Sequence, residues 1–487
     1  MASAAEEADR LTRITDDLLL LARGDEATLN VSPARTDVAL LLARSAERAS
    51  ARAGAAGVTC RVNVPAGLTA VALTLGGVLH ESSSPSPAAA APASGTVAPS
   101  PTNTAAQIAR LQAAIRMDPT DVRSLDSLGL AYQQRARETG DPTYYTKSDE
   151  ALHRALSLEP RDLLATSGLG SLALSRHRFR EALVLGRRAY AISPTTARNY
   201  GVIGDALVEL GRYHAAFKTF DTMAGIQPGL SSYARISHAR QLLGDIPGAI
   251  AAMKLAVDAA QGQGEADAWT HVQLGLIYLS VGRYKAAAAE DRYALFVFPD
   301  YAYALDALAR AEAGLGHYGS AIQYEQQAVN RIPLPQYVST LGDLYGATGR
   351  PGLAKKQYEL IGIIQRLLVA NGVKTDLETA LFDVDHAIKL HASLALARLA
   401  WRERPSIDGD DVLAWALERT GHCGEAQRYS KRALRLGTLD ALKYFHRGMI
   451  EGCLGHRAAQ RAWLARALRL NPRFSILWAP VAKRELR

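Results

Sequence analysis

Three kinds of hydrophobic patterning succeed one another along the chain. Over residues 5–23, Leu11, Ile14, Leu18, Leu19 and Leu21 recur on a helical period, with acids early and Arg late, which predicts a helix. Residues 27–32 predict a short strand and residues 38–53 a second helix, ended by Gly54 and Gly57. Alternation over 58–64 predicts another strand. The stretch 67–79 is apolar but shorter than the about 20 residues a membrane-spanning helix needs. Residues 81–104 are rich in Ser, Pro and Ala. Pro85, Pro87, Pro92, Pro99 and Pro101 there predict a disordered, semi-extended linker without helix. From 105 to 487 almost everything is amphipathic helix with short turns marked by glycine.

That third region repeats. Residues 161–194 carry Leu169-Gly170, Phe179, Ala182, Ala189 and Pro194. Residues 195–228 carry Ile203-Gly204, Gly211, Tyr213, Ala216, Phe220 and Pro228. The turn glycines Gly211, Gly244, Gly282, Gly316 and Gly349 keep nearly the same step, with one longer interval around 261–265. Each residue type has a physical task. Small residues let two helices approach, aromatics fill the space between pairs, glycine permits a left-handed turn and proline stops the second helix.

This set resembles the tetratricopeptide repeat, whose period is about 34 residues. The resemblance runs from about residue 121 to 472, with seven well-formed units and three weaker ones. The first unit carries an insertion around 137–142, residues 376–405 are degenerate, and 473–487 would cap the end. The resemblance implies an all-α, right-handed superhelical solenoid of helix-turn-helix units, stacked because no single pair can bury its apolar face. It also implies a concave groove lined by the first helix of each unit. Carried over position by position, the groove residues are Asp126, Gln133, Asn199, Asp205, His238, Gln241, Trp269, Tyr303, Asp306, Arg310 and Asp343, with Trp269 and Tyr303 as aromatic anchors. The basic-and-Asn set with which some members clamp a C-terminal carboxylate is missing.

Residues 7–68 are similar to part of a bacterial sensor histidine kinase. The carrying residues are Ala8-Asp9-Arg10-Leu11 and Asp16-Asp17-Leu18-Leu19-Leu20-Leu21-Ala22-Arg23, then Pro33 to Asp37 and Gly57-Val58-Thr59. The resemblance implies a small α/β-like segment joining a dimerisation helix to the start of a nucleotide-binding domain. The His-bearing helix and the nucleotide-binding boxes are missing, so phosphoryl transfer is not implied.

Composition narrows the chemistry. At 48% hydrophobic residues the chain is too apolar to be disordered throughout. Cys60, Cys423 and Cys453 are far apart, predict no paired framework or metal spacing, and are compatible with a reducing compartment. The net charge is +8, and residues 398–487 hold 18 Lys or Arg against 9 Asp or Glu, so the remainder is nearly neutral. Without interleaved aromatics, this basic tail reads as a solvated helix surface and argues against nucleic acid. No phosphate loop, dinucleotide fingerprint, zinc helix or nucleophile elbow is present, so neither enzyme activity nor a cofactor is expected. Asp383, Asp385 and His386 form a local cluster that could ligate a metal or simply solvate a helix start, and the latter is favoured. His177, His214 and His317 fall at turns and read as surface residues.

The expectation is therefore a scaffold that holds a partner peptide or helix in its groove, in the cytoplasm. Two alternatives stay open. One is a signalling protein or kinase remnant fused to repeats. The other is an exported or membrane-anchored repeat protein whose start or processing lies near residue 67. Membrane contact would then run through 67–79, and half a dimerisation domain leaves the oligomeric state open.

Overall fold

The computed structural model describes residues 101–487. The helices and strands expected over 1–66, the kinase-like resemblance and the apolar stretch 67–79 lie outside the described residues. The described residues contain 22 helices and no strand. The first, α1 (Pro101–Met117), begins at a proline that was counted with the linker. Pro101 supplies a fixed φ at a position whose N–H needs no helical partner, so it opens the helix instead of preventing it.

Ten antiparallel hairpins follow. They are α2 (Val122–Thr139) with α3 (Thr143–Leu158), α4 (Leu163–Ser175) with α5 (Phe179–Ile192), and α6 (Ala197–Glu209) with α7 (Tyr213–Ile226). Next come α8 (Leu230–Leu242) with α9 (Ile246–Ala260), α10 (Glu265–Ser280) with α11 (Tyr284–Val297), and α12 (Ala302–Leu315) with α13 (Tyr318–Arg331). The last four are α14 (Pro335–Ala347) with α15 (Pro351–Ala370), α16 (Asp376–Asp385) with α17 (Leu390–Glu403), α18 (Ile407–Arg419) with α19 (Cys423–Ala433), and α20 (Ala441–Cys453) with α21 (Arg457–Leu470). The short α22 (Trp478–Glu485) covers α20 and α21 at the end. The described residues thus form an all-α solenoid of tetratricopeptide-type hairpins.

Local chemistry sets the boundaries. Asp121, Asp162, Asp245, Ser406 and Asp440 accept from backbone N–H groups of the helices they precede. Within a hairpin, a small residue on the first helix meets a large one on the second. A Cβ on Gly204 would overlap the ring of Phe220, which is 1% exposed. First helices of neighbouring hairpins also touch each other, as α2 does α4 and α10 does α12, so they line the inner face. Exposed apolar side chains such as Val184, Leu255, Phe296 and Val369 lie on second helices, facing outward.

The solenoid closes a full coil, and its second coil rests on the first. The Lys374 backbone N–H donates to the Arg176 carbonyl at 3.1 Å, and Arg178 Nε donates to the Gly372 carbonyl at 3.1 Å. The Ile407 N–H donates to the Tyr213 hydroxyl at 2.7 Å, and Asn471 Nδ2 to the Leu279 carbonyl at 2.9 Å. Thr438 bonds the Leu242 carbonyl, and the Arg404 guanidinium joins Glu209 and Glu378. Each of the bonds from Arg178, Ile407, Thr438 and Asn471 ties residues 192 to 196 positions apart. One core cluster accordingly spans Ile108–Leu172 and Ala302–Val373.

Two sequence expectations change here. His177 is a turn residue, but it is 6% exposed. It sits in the left-handed region at φ 54°, with Nδ1 2.9 Å from the Lys374 carbonyl and its ring stacked on Phe179. The second coil covers it, whereas His214 and His317 are exposed. Cys423 and Cys453, expected to be unpaired, form a disulfide with Cα atoms 5.8 Å apart. Stacking α19 against α20 brings the first residue of one to the last residue of the other, a proximity that spacing in sequence does not display. Such bonds persist where thiols are not kept reduced.

Candidate functional site

Closure of the coil changes what the first helices can offer. Of the expected groove residues, several are consumed by the fold. Asn199 is fully buried and its amide donates to the Ser193 carbonyl at 3.0 Å. Gln133 bridges Ser148 and the Gly168 carbonyl at 3.1 and 2.9 Å. Asp126 is 2% exposed, and burial together with Asp162 pushes its carboxyl up to about 7. Trp269 is 7% exposed within the core cluster that includes Ile246, Met253 and Ile277, so it presents no ring for a partner to grip.

Asp205 receives both Nε and Nη2 of Arg235, at 2.9 and 2.7 Å. His238, half-buried, stands near this pair, and burial holds its imidazole below its ordinary value. Gln241 is half-buried one turn on from it. Tyr303 packs tilted against Tyr301 and edge-on to Tyr337, with ring centroids 5.1 and 6.4 Å away. Arg310, exposed, lies 3.8 Å from Asp306.

Asp306 belongs to a buried carboxyl cluster with Asp291 and Glu325, which are 1% and 0% exposed. Burial raises all three, and the charge of Asp306 raises Asp291 and Glu325 further. In the unfolded chain these groups ionise at ordinary values, so the folded state holds more protons. Stability is therefore greatest in acid and falls as pH rises through the ordinary carboxyl range, until the folded groups ionise too. Glu325→Gln, which keeps the shape and removes the buried acid, is expected to raise Tm at neutral pH by a few degrees. It should also flatten the decline of Tm from about pH 5 to pH 8. An unchanged slope in a thermal-denaturation series would show that Glu325 is not held neutral.

Two cavities are lined in part by first helices. One, of about 220 Å³, is lined by Tyr145, Ser339, Asp343, Phe382, Asp385 and His386 among others. Here Asp343 accepts from the Tyr358 hydroxyl at 2.8 Å and pairs with His386 Nε2 at 2.9 Å. Burial opposes the charged imidazole, but the bonds to Asp343 and the Phe382 carbonyl outweigh it and raise His386. Asp385 accepts the indole N–H of Trp415 at 2.8 Å and of Trp478 at 2.9 Å. Asp383, Asp385 and His386 therefore face separate partners, and no group of metal-ligand residues gathers among the described residues. The second cavity, of about 190 Å³, is lined by Gln134, Arg137, Glu265, Tyr301 and Tyr303 among others.

The sequence reading missed Arg137, Arg198 and Glu265. The available signal was the insertion at 137–142. It lengthens α2 to 18 residues, against 13 for α4, α6 and α8, and so places Arg137 on the inner face. Much of the C-terminal positive charge is engaged internally. Arg398 pairs with Glu425, Arg432 and Arg435 with Asp410, and Arg447 with Glu451, while Arg419 lies over Trp415 and Trp478. No helix among the described residues is long and apolar enough to cross a membrane.

No family model matches the chain, the kinase-like residues included, and no curated protein matches it. Among solved structures it is similar to the human IFIT1 dimer with PPP-AAAA at 16% identity and TM-score 0.43, over 65% of this chain and 73% of that one. It is also similar to the APC/C hetero-tetramer Cut9–Hcn1 at 14% identity and TM-score 0.38, over 80% and 83%. A third similarity is to MamA at 18% identity and TM-score 0.27, over 33% and 93%.

Proposed function

We propose that this chain is an interaction scaffold that receives a segment of a protein partner on its inner, first-helix face. The observation that carries the reading is a pair of cavities, of about 220 and 190 Å³, lined in part by first helices and mixing polar side chains with aromatic rings. A partner side chain or short extended segment fits such openings; a whole helix does not. A third opening, of about 460 Å³, lies where the two coils meet and is lined mainly by charged side chains, among them Arg178, Arg180, Glu181, Lys374 and Glu403.

The test places a photo-reactive amino acid at Ser339, on the inner face, and separately at Gln327, exposed on α13, in the full-length protein in its own cells. Covalent adducts with one partner are expected from Ser339 and not from Gln327. Adducts from Gln327 alone would transfer the binding function to the outer face and end this reading.

A further inference from the structure

Arg198, the second residue of α6, is a cation without a counter-charge. Its Nε is buried with no hydrogen-bond partner, and its one hydrogen bond runs from Nη2 to Ser171 Oγ at 3.5 Å. Burial lowers its guanidinium to about 10, and the charged neighbour that lowers it further is another cation, Arg137. Arg137 in turn spends one bond on the side-chain oxygen of Gln134 and stands near Tyr301 and Tyr303. Among the described residues, neither guanidinium has a carboxylate within the 4.0 Å of an ion pair.

Of the acids that share Arg137's cavity, Asp300 is exposed, and Glu265 and Glu138 are engaged elsewhere. Glu265 accepts from Gln134 at 2.9 Å and from the Tyr301 hydroxyl at 3.3 Å. Glu138 accepts from Thr104 at 2.6 Å and Arg135 at 3.1 Å. Two partly buried guanidiniums that repel one another, with most of their fork-like donors unused, are unfavourable unless an anion sits near them. The geometry of such donors suits the planar or tetrahedral oxygens of a carboxylate or a phosphate.

We infer that Arg137 and Arg198, with Ser171 beside them, form an oxyanion-binding site on the inner face beside the 190 Å³ cavity. The site is built by a particular feature of this chain. Arg137 falls in the last turn of α2, which the insertion extends to 18 residues against 13 for α6. The inference deepens the scaffold reading by giving the incoming segment a chemistry: it presents an acidic or phosphorylated side chain. The anion response is a property of the isolated protein, however, so it stands or falls separately from the cross-linking result.

The probes are inorganic phosphate and a short Glu-rich peptide, each added to the full-length protein at low ionic strength matched with chloride. Phosphate is expected to raise the wild-type Tm by roughly 4 °C or more at saturation. Arg198→Met and Arg137→Gln should each abolish most of that shift, while Arg187→Gln, an exposed outer-face control, should leave it intact. Arg198→Met, relieved of an uncompensated charge, should also melt above the wild type when phosphate is absent. Competition by the peptide assigns the site to carboxylates as well as phosphate; a phosphate shift alone assigns it to phosphate. No shift with either probe, or a shift equal in wild type and Arg198→Met, overturns the inference.

Discussion

Gly244→Ala is expected to cost about 3 kcal/mol of stability, whereas Gly349→Ala costs about 1. The two glycines occupy equivalent turns and nearly the same backbone, at φ 76° and 75°. An alanine at either pays the left-handed strain. Only at Gly244 does the new methyl meet something, lying 2.5 Å from the Gly437 carbonyl oxygen of the second coil. At Gly349 it meets nothing within 4 Å. That oxygen is backbone and cannot rotate away, so the coils must part locally. Denaturant titration of the two variants should separate them by about 2 kcal/mol, and small-angle scattering should show expansion for Gly244→Ala alone. Equal losses would mean that the coils do not touch in solution.

The second large effect is expected at Trp415, the largest fully buried side chain. Its ring stacks on His446 at 4.4 Å and meets Phe445 and Trp478 edge-on at 5.8 and 5.3 Å. Its indole N–H also holds Asp385, which ties α16 to α18 and, through Trp478, to the terminal helix. Trp415→Ala removes this packing and leaves a buried carboxylate with one donor fewer. A loss of 3–5 kcal/mol is expected, above the typical core truncation because both penalties apply. Trp415→Phe should recover most of the packing but not the bond to Asp385, leaving a loss of about 1–3 kcal/mol. If Trp415→Ala costs under about 1 kcal/mol in equilibrium unfolding, α16 and α22 are not held through this residue.

The regular part of the architecture was legible because each hairpin is specified locally. The pairing of Gly204 with Phe220 and the left-handed turn glycines recur with the hairpin itself, so the period exposes them. The contacts between coils have no such period. Tyr213 looks like every other turn aromatic until its hydroxyl accepts the Ile407 N–H, and His177 looks like a surface turn residue until the second coil arrives. Which groove residues stay open was hidden for the same reason. Position within a unit identified side chains on the first helices, but whether they meet solvent, as Arg310 does, or a neighbouring hairpin, as Asn199 and Trp269 do, depends on the curvature of the whole coil. Arg137 escaped because it lies in an insertion, where repeat alignment assigns no role.

The contact between coils also changes how this chain must fold. An ordinary solenoid is quasi-one-dimensional. Its stability is a sum over adjacent units, and it can fray or fold from either end one unit at a time. A bond such as that from Asn471 to Leu279 joins units with 191 residues between them and cannot form until the intervening hairpins have set the curvature. Such contacts raise the mean sequence separation of native contacts, which slows folding, and they come last because closing a long loop costs the most entropy. Once made, they bind the fate of the early hairpins to that of the late ones, so unfolding that begins at the C-terminal end does not stop there. Fragments of this protein, unlike those of most repeat arrays, are poor guides to the whole.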